Sequence, residues 1–397
     1  MKESIDLILR FWMNNSVLPE DLINDKNLFP IEKSSVPQIT ADQLIRTVEN
    51  NESQLEIVIQ SKRQSNRSDQ LNCITVKLCA GTKEDLLEFA TRLSFVYPLI
   101  CEDTTIEEFK YVHESFTVMM DRVLLNQADE IIHWQNMFLL NSEDPETLHQ
   151  LRIRLRQIRS YLWCLGSRMN QSEVDQWRKQ LKEVTDLTSQ LRETDVLLQQ
   201  LTDFYGSETE DELRSTKLIS ELTRKRKLAT EKVRTQLLAG RLTPILLSIR
   251  LGLMSSHWES DEPNVMKLKV IRELRNRYDS VHVSVKKLDP VKIPQVHQLR
   301  IEVKKIHYSL LLIEPMMTKK IKPAITDLKL LQDQLGHYCD LSKNRSLLSE
   351  IRETTADHSI ADECGKMEGY LASELQHFAK ESNKIKLHKS IKKQWLK

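Results

Sequence analysis

Apolar residues recur every three or four positions from about residue 106 to residue 382, the spacing of one helix face. The pattern predicts helices over Phe109–Leu140, Glu146–Met169, Ser172–Tyr205, Asp211–Ala239 and Thr243–Met254. It resumes over Val265–Leu288, Pro294–Glu314, Lys322–Arg352 and Asp357–Ser382. Breaks fall at Ser142–Pro145, Gly206, Gly240, Ser260–Pro263, Asp289–Pro290 and Pro315. Upstream the pattern is mixed. Leu55–Gln60 and Asn72–Ala80 are rich in β-branched residues and read as strands joined by the polar stretch Ser61–Gln70. Glu3–Met13 and Ala41–Asn50 read as short helices. Thr82–Tyr97 reads as a longer one with Thr82 as N-cap. The expected fold is mainly α, with a small N-terminal α/β unit.

Composition agrees with long helices, since 397 residues hold only 8 Gly and 11 Pro. A net charge of +1 excludes a uniformly basic nucleic-acid binder, so any polyanion site must be a local concentration of charge. The charge is uneven: residues 1–109 carry 11 basic and 18 acidic side chains, and the remainder 47 and 39. That asymmetry suggests units with different tasks. We draw them as 1–105, of unassigned role, and 106–382, with a basic tail at 383–397. Cysteines at 73, 79, 101, 164, 339 and 364 include no C-x-x-C pair, which excludes a zinc ribbon or a thioredoxin motif. Scattered cysteines read as reduced, intracellular thiols. Met1–Met13 is interrupted by Asp6 and Arg10 and makes a poor signal peptide, and no apolar run approaches 18 residues. The expectation is a cytoplasmic protein with no membrane partner.

The helical region repeats itself. His149-Gln-Leu-Arg152-Ile-Arg-Leu-Arg156-Gln-Ile-Arg159 returns 148 residues later as His297-Gln-Leu-Arg300-Ile-Glu-Val-Lys304-Lys-Ile-His307. Each copy follows a break and a proline, with a long helix before and after it. The later helix carries Asp195 in the first copy and Leu335-Gly336-x-x-x-Asp340 in the second. Two halves, about 106–255 and 264–382, form one duplicated domain. On a helix, positions i, i+3, i+7 and i+10 fall within about 80° of arc. His149, Arg152, Arg156 and Arg159 therefore share one face, as do His297, Arg300, Lys304 and His307. Leu148, Leu151, Leu155, Ile158 and Leu162 mark an adjoining core stripe. Four like charges at this spacing repel, and an anion would neutralise them. His297 and His307 lie too far apart on one helix to share a metal, and no H-x-x-x-H occurs.

These residues resemble the CHAD family, the conserved-histidine α-helical domain. The resemblance spans roughly 106–382. It rests on Asp144-Pro-Glu146-x-x-His149-Gln-Leu-Arg152-x-x-x-Arg156-x-x-Arg159, on His297-Gln-Leu-Arg300-x-x-x-Lys304-x-x-His307-Tyr308, and on Leu335-Gly336-x-x-x-Asp340. Ser189 and Glu193 stand where the family pattern has Gly and Asp, and His307 where it has Arg. The resemblance implies two four-helix bundles with pseudo-twofold symmetry. It also implies a central cationic cavity that binds inorganic polyphosphate, lined here by His149, Arg152, Arg156, Arg159, His297, Arg300, Lys304, Lys305 and His307. Members act as binding and targeting modules beside polyphosphate-metabolising proteins, which implies association with polyphosphate granules. Leu55–Gln60 lacks the Glu-x-Glu-x-Lys strand of the triphosphate-tunnel domain that many members carry upstream.

Arginines offer forked donor pairs to phosphoryl oxygens, and lysines offer mobile charge. A bound phosphate raises the pKa of His149 and His297, so binding is expected to tighten below about pH 6.5. Asp195 and Asp340 read as structural partners of basic groups. Arg224–Lys227 with Lys232 and Arg234, and Lys267–Arg277, are further basic clusters. No catalytic residue, metal or cofactor is called, and the function read is non-enzymatic polyphosphate binding. The alternatives are a polyphosphate-processing enzyme, which lacks a P-loop or paired carboxylates here, and a helical scaffold binding nucleic acid or a protein partner.

Overall fold

The computed structural model describes residues 8–14, 19–29, 34–35, 37–39, 43–62, 71–103, 115–166, 169–206, 216–255, 263–317 and 321–381. The connection read at Ser61–Gln70, from residue 63 onward, and the tail at 383–397 lie outside them. The described residues fall into two compact units. The first takes those up to Thr188 and, from later in the chain, those between Thr230 and Ser260. The second takes those between Ser189 and Ala229 and those after Asp261.

The first unit opens with an antiparallel sheet. Its strands are β1 (Ile8–Asn14), β2 (Gln38–Ile39), β3 (Gln43–Asn50), β4 (Ser53–Lys62), β5 (Leu71–Ala80) and β6 (Leu99–Asp103), in the order β2-β3-β4-β5-β1-β6. Ile8–Met13, read from sequence as helical, is thus a strand. Leu9, Phe11 and Met13 are fully buried on one face, and Trp12 on the other face is also covered. Trp12, apolar between Phe11 and Met13, fills in the alternation that marks a strand. Ala41–Asn50 was also expected to be helical, but Gln43–Asn50 pairs with β4 along its whole length. Its buried Arg46 donates to the Ile23 carbonyl and, at 2.7 Å, to Ser34 Oγ, and lies over the Phe29 ring. Those long-range partners outweigh a weak local helical preference.

Helix α1 (Pro19–Ile23) and helix α2 (Lys83–Val96) complete the sheet layer. Thr82 caps α2 as expected, and Asp85 accepts from Ser53 Oγ at 2.6 Å and Thr82 Oγ1 at 2.8 Å, tying the helix start to β4. These hydrogen bonds hold the Asp85 carboxyl below its ordinary pKa. Helices α3 (Phe116–Leu140), α4 (Pro145–Leu165) and α5 (Gln171–Leu187) follow, and the chain later returns through α7 (Lys217–Leu238) and α8 (Thr243–Ser255). Packing joins the sheet layer to these helices. α8 lies along α2. Asn136 of α3 donates to the Cys101 and Glu102 carbonyls of β6 at 3.0 and 3.3 Å. Arg250 of α8 is fully buried and pairs with Asp129.

The stretch Ser172–Tyr205, read as one helix, is two: α5 and α6 (Ser189–Tyr205), broken at Thr188. Thr185 Oγ1 takes the Leu181 carbonyl and Thr188 Oγ1 takes the Thr185 carbonyl, at 2.7 and 2.8 Å. Hydroxyls that bond back to their own helix compete with the backbone ladder.

The second unit contains α6, the first part of α7, α9 (Pro263–Lys286), α10 (Ile293–Ile313), α11 (Lys322–Thr354) and α12 (His358–Glu381). Leu197, Leu201, Leu218 and Leu222 of α6 and α7 pack with Leu341, Leu348, Cys364 and Met367 of α11 and α12. Lys343 reaches Glu193 at 2.5 Å and Asn344 reaches Gln200 at 2.7 Å on the rim of that core. The whole is mainly α with a small N-terminal sheet, as the sequence pattern implied.

Candidate anion-binding helix faces

Helix α4 starts where Asp144 accepts from the Glu146 amide at 2.9 Å, with Pro145 as the first helical residue. Leu148, Leu151, Leu155, Ile158 and Leu162 are buried, as their spacing predicts. The core stripe fixes the azimuth of the cationic residues beside it. They do not all sit at one depth. Arg152 is buried, and its Nη1 donates to the Thr185 carbonyl at 2.6 Å and to Thr188 Oγ1. It therefore satisfies carbonyl and hydroxyl acceptors at the end of α5, where a cation also suits the helix dipole. His149, Arg156 and Arg159 are half-buried. Desolvation draws the Arg159 pKa down. Asp186 opposes that shift, and Arg178 and Arg156 add to it. Arg159 Nε is buried and meets no acceptor among the described residues.

Helix α10 repeats the arrangement with different partners. Val296, Leu299, Val303, Ile306 and Leu310 form its core stripe. Its N-cap, Lys292, makes no side-chain capping bond, and His297 stands exposed in the first turns. Arg300 pairs with Asp340 of α11 at 3.3 Å, while its Nε is buried without an acceptor among the described residues. Gly336 lies beneath that guanidinium: a Cβ there would sit 3.6 Å from Nη2. The Leu-Gly-x-x-x-Asp spacing thus supplies a bare patch and a carboxylate to one arginine. Burial pushes the neighbouring Cys339 thiol up, and Arg300 works against that shift. Lys304 is half-buried. Lys305 lies off the face and pairs with Glu302 at 3.3 Å.

His307 turns inward. It is buried, its Nδ1 lies 3.1 Å from Gln332 Oε1, and burial lowers its pKa. At neutral pH it is an uncharged interior side chain. Two residues thus depart from a uniform cationic ridge, Arg152 and His307. Sequence reasoning missed their acceptors, Thr185, Thr188 and Gln332. The only signal was the Thr-x-x-Thr spacing just before Ser189.

Members of the other basic clusters have carboxylate or carbonyl partners, while Arg224, Lys227, Lys232, Lys269 and Arg272 are exposed. Arg226 pairs with the buried Asp195 at 2.7 Å, Arg224 with Glu221 at 2.9 Å, and Arg277 with Glu273 at 2.9 Å. Arg234 donates to the Leu139 carbonyl at 2.6 Å. Among the described residues no group of three His, Cys, Asp or Glu side chains is placed to hold a metal ion.

A duplicated helical domain with a cationic face on the equivalent helix of each copy is the class these features define. The family model described as the CHAD domain matches residues 122–349, more than half of the chain, and the protein belongs to that family. Solved structures agree on the fold. The crystal structure of the CHAD domain from the plant Ricinus communis is 18% identical, with a TM-score of 0.54, over 68% of this chain and 90% of that one. PptA from Streptomyces chartreusis is 14% identical, with a TM-score of 0.52, over 68% of this chain and 98% of that one. No curated protein matches the chain in sequence.

Proposed function

We propose that this protein binds inorganic polyphosphate without chemically altering it, through the cationic faces of α4 and α10. Direct contacts are assigned to His149, Arg156, Arg159, His297, Arg300 and Lys304. Lys305 adds charge beside them, and Arg152 and His307 support the helices from within. The observation that carries this reading is the recurrence of His-x-x-Arg-x-x-x-Arg/Lys on α4 and α10, each time beside a buried apolar stripe. On those faces Arg159 and Arg300 each hold a buried Nε that meets no acceptor among the described residues, as Arg152 and Arg154 also do, which is donor capacity that a phosphoryl oxygen can use. A buried donor left unsatisfied is costly, and a charge-assisted hydrogen bond there contributes about 1.5–3 kcal/mol. Membership of the CHAD family supports the same ligand class.

The test is a salt-titrated binding assay with long-chain polyphosphate. It compares the wild type with Arg156→Ala/Arg159→Ala/Arg300→Ala/Lys304→Ala, whose circular dichroism must match. The expected result is a loss of at least roughly a hundredfold at moderate salt, from four lost charge-assisted contacts, and a shallower salt slope. Equal binding by the variant would move the site elsewhere. Orthophosphate release on adding a divalent cation would make the protein an enzyme, and displacement of polyphosphate by nucleic acid at equal charge would favour the scaffold reading. We place this function in the cytoplasm, beside polyphosphate-metabolising partners. Scattered cysteines without C-x-x-C spacing favour a reducing compartment, and no single described helix is long and apolar enough to cross a membrane.

A further inference from the structure

The cationic face of α10 already holds an anion of its own. Asp340 of α11 lies 3.3 Å from Arg300 Nη2, the one carboxylate within ion-pair reach of that guanidinium among the described residues. The contact is easily opened. The Asp340 side chain is 39% exposed, so water is at hand for the carboxylate when it leaves. It takes Nη2, while Nε stays buried with no acceptor among the described residues. Gly336 keeps side-chain atoms off the guanidinium, since a Cβ there would already touch Nη2 at 3.6 Å.

A carboxylate and a phosphoryl group compete for the same charge-assisted N–H donors. A phosphoryl group that takes Nε and Nη2 as a fork arrives at the nitrogen that Asp340 holds. The two anions cannot share that nitrogen without like-charge repulsion at close range. One of them must give way, and the carboxylate is the one that can return to water.

Other carboxylates near these faces are not placed to do this. Asp195 is only 2% exposed, and Arg226 holds it at 2.7 Å. Breaking a buried pair strands a charge in the interior, which is costly. Asp186, whose charge acts on Arg159 of the α4 face, is itself held by Lys182 at 2.5 Å. A partly exposed pair such as Arg300–Asp340 contributes little and separates readily.

We propose that Asp340 is an internal competitor for Arg300. Without ligand it occupies the guanidinium, and polyphosphate engages α10 by displacing it. Asp340 thus lowers the affinity of the site and does not help to build it. The proposal rests on the polyphosphate reading above and goes beyond it by naming the group that the ligand replaces.

The experiment measures binding of long-chain polyphosphate to the full chain at about 0.1 M salt, where charges more than about 10 Å apart are largely screened. It compares the wild type, Asp340→Asn, Arg300→Ala and the double variant. Asp340→Asn is expected to tighten binding at least roughly threefold, the scale of a partly exposed ion pair. In the Arg300→Ala background the same substitution is expected to change affinity by less than about 1.5-fold, because the competition needs the guanidinium. Glu350→Gln removes an equal charge from an exposed position about 15 Å further along α11 and is expected to leave affinity unchanged. If Asp340→Asn does not fold, Asp340→Ser removes the same charge. Unchanged or weaker binding by the Asp340 variant overturns the proposal, since the carboxylate then does nothing to the site or helps to build it. An equal gain in the Arg300→Ala background also overturns it, because Asp340 then acts as general surface charge. Absence of binding by the wild type and every variant overturns the polyphosphate reading itself, and the proposal with it.

Discussion

His307 illustrates how one side chain inherits its chemistry from depth. It occupies the fourth position of a cationic spacing, yet it faces Gln332 in the interior with Lys329 and Asp333 nearby. Burial dominates, so its folded pKa lies below the ordinary value of about 6.5. As pH falls through 6.5 the unfolded chain takes up a proton that the folded chain refuses, so unfolding becomes easier. The loss continues until pH passes the lowered folded value. Urea unfolding of the wild type between pH 7.5 and 5 is expected to show this decline, and His307→Gln to show a shallower one. Identical slopes would remove His307 from the acid response.

At the scale of elements, the joint between α7 and α8 lies directly against β6. Gly240 lies there with φ +75°, and a Cβ on it would come within 2.7 Å of Leu99 N and O. No flexible side chain can yield, because the obstacle is backbone of β6. Gly240→Ala is therefore expected to destabilise the protein by about 1–3 kcal/mol. A denaturation midpoint equal to wild type would mean that the turn can relax. The same elements show what a sequence can disclose. The helices from α2 to α12 were legible, because a buried stripe on a long helix repeats for three turns or more. β1 was not, since Trp12 fills the alternation, and β3 was not, since its strand state depends on β4 and on Arg46 reaching Ile23. The break at Thr188 depends on hydroxyl bonds that no periodicity records. The cationic faces were legible as azimuths. Which members turn inward was not, because depth is set by the neighbouring helix.

For the whole molecule, linker composition and packing divide the chain along different lines. Composition changes near residue 105, but α2 packs on α8, and β6 is held by Asn136 and by Thr243, whose Oγ1 accepts from the Cys101 amide at 3.1 Å. A protein beginning at residue 106 would bare those helix faces. It is expected to aggregate or to melt at least roughly 5 °C below the full chain, several kcal/mol being worth that much in a domain of this size. A fragment with the full-length melting temperature would show that residues 1–105 are a separable module.

The arginine of each repeat has been put to a different use. Arg152 serves a carbonyl and a hydroxyl at once, whereas Arg300 faces the Cys339 thiol and, at 3.3 Å, a carboxylate that is partly open to solvent. Both bonds leave one nitrogen, Nη1, of a buried side chain, so position 152 requires a buried cationic donor at that reach. For folding alone, position 300 requires only a positive end that reaches Asp340. In a saturation library scored for soluble expression, position 152 is expected to reject every uncharged or acidic substitution, while position 300 accepts several. Duplication left two copies of one residue, one spent on holding the helices together and the other left for the ligand.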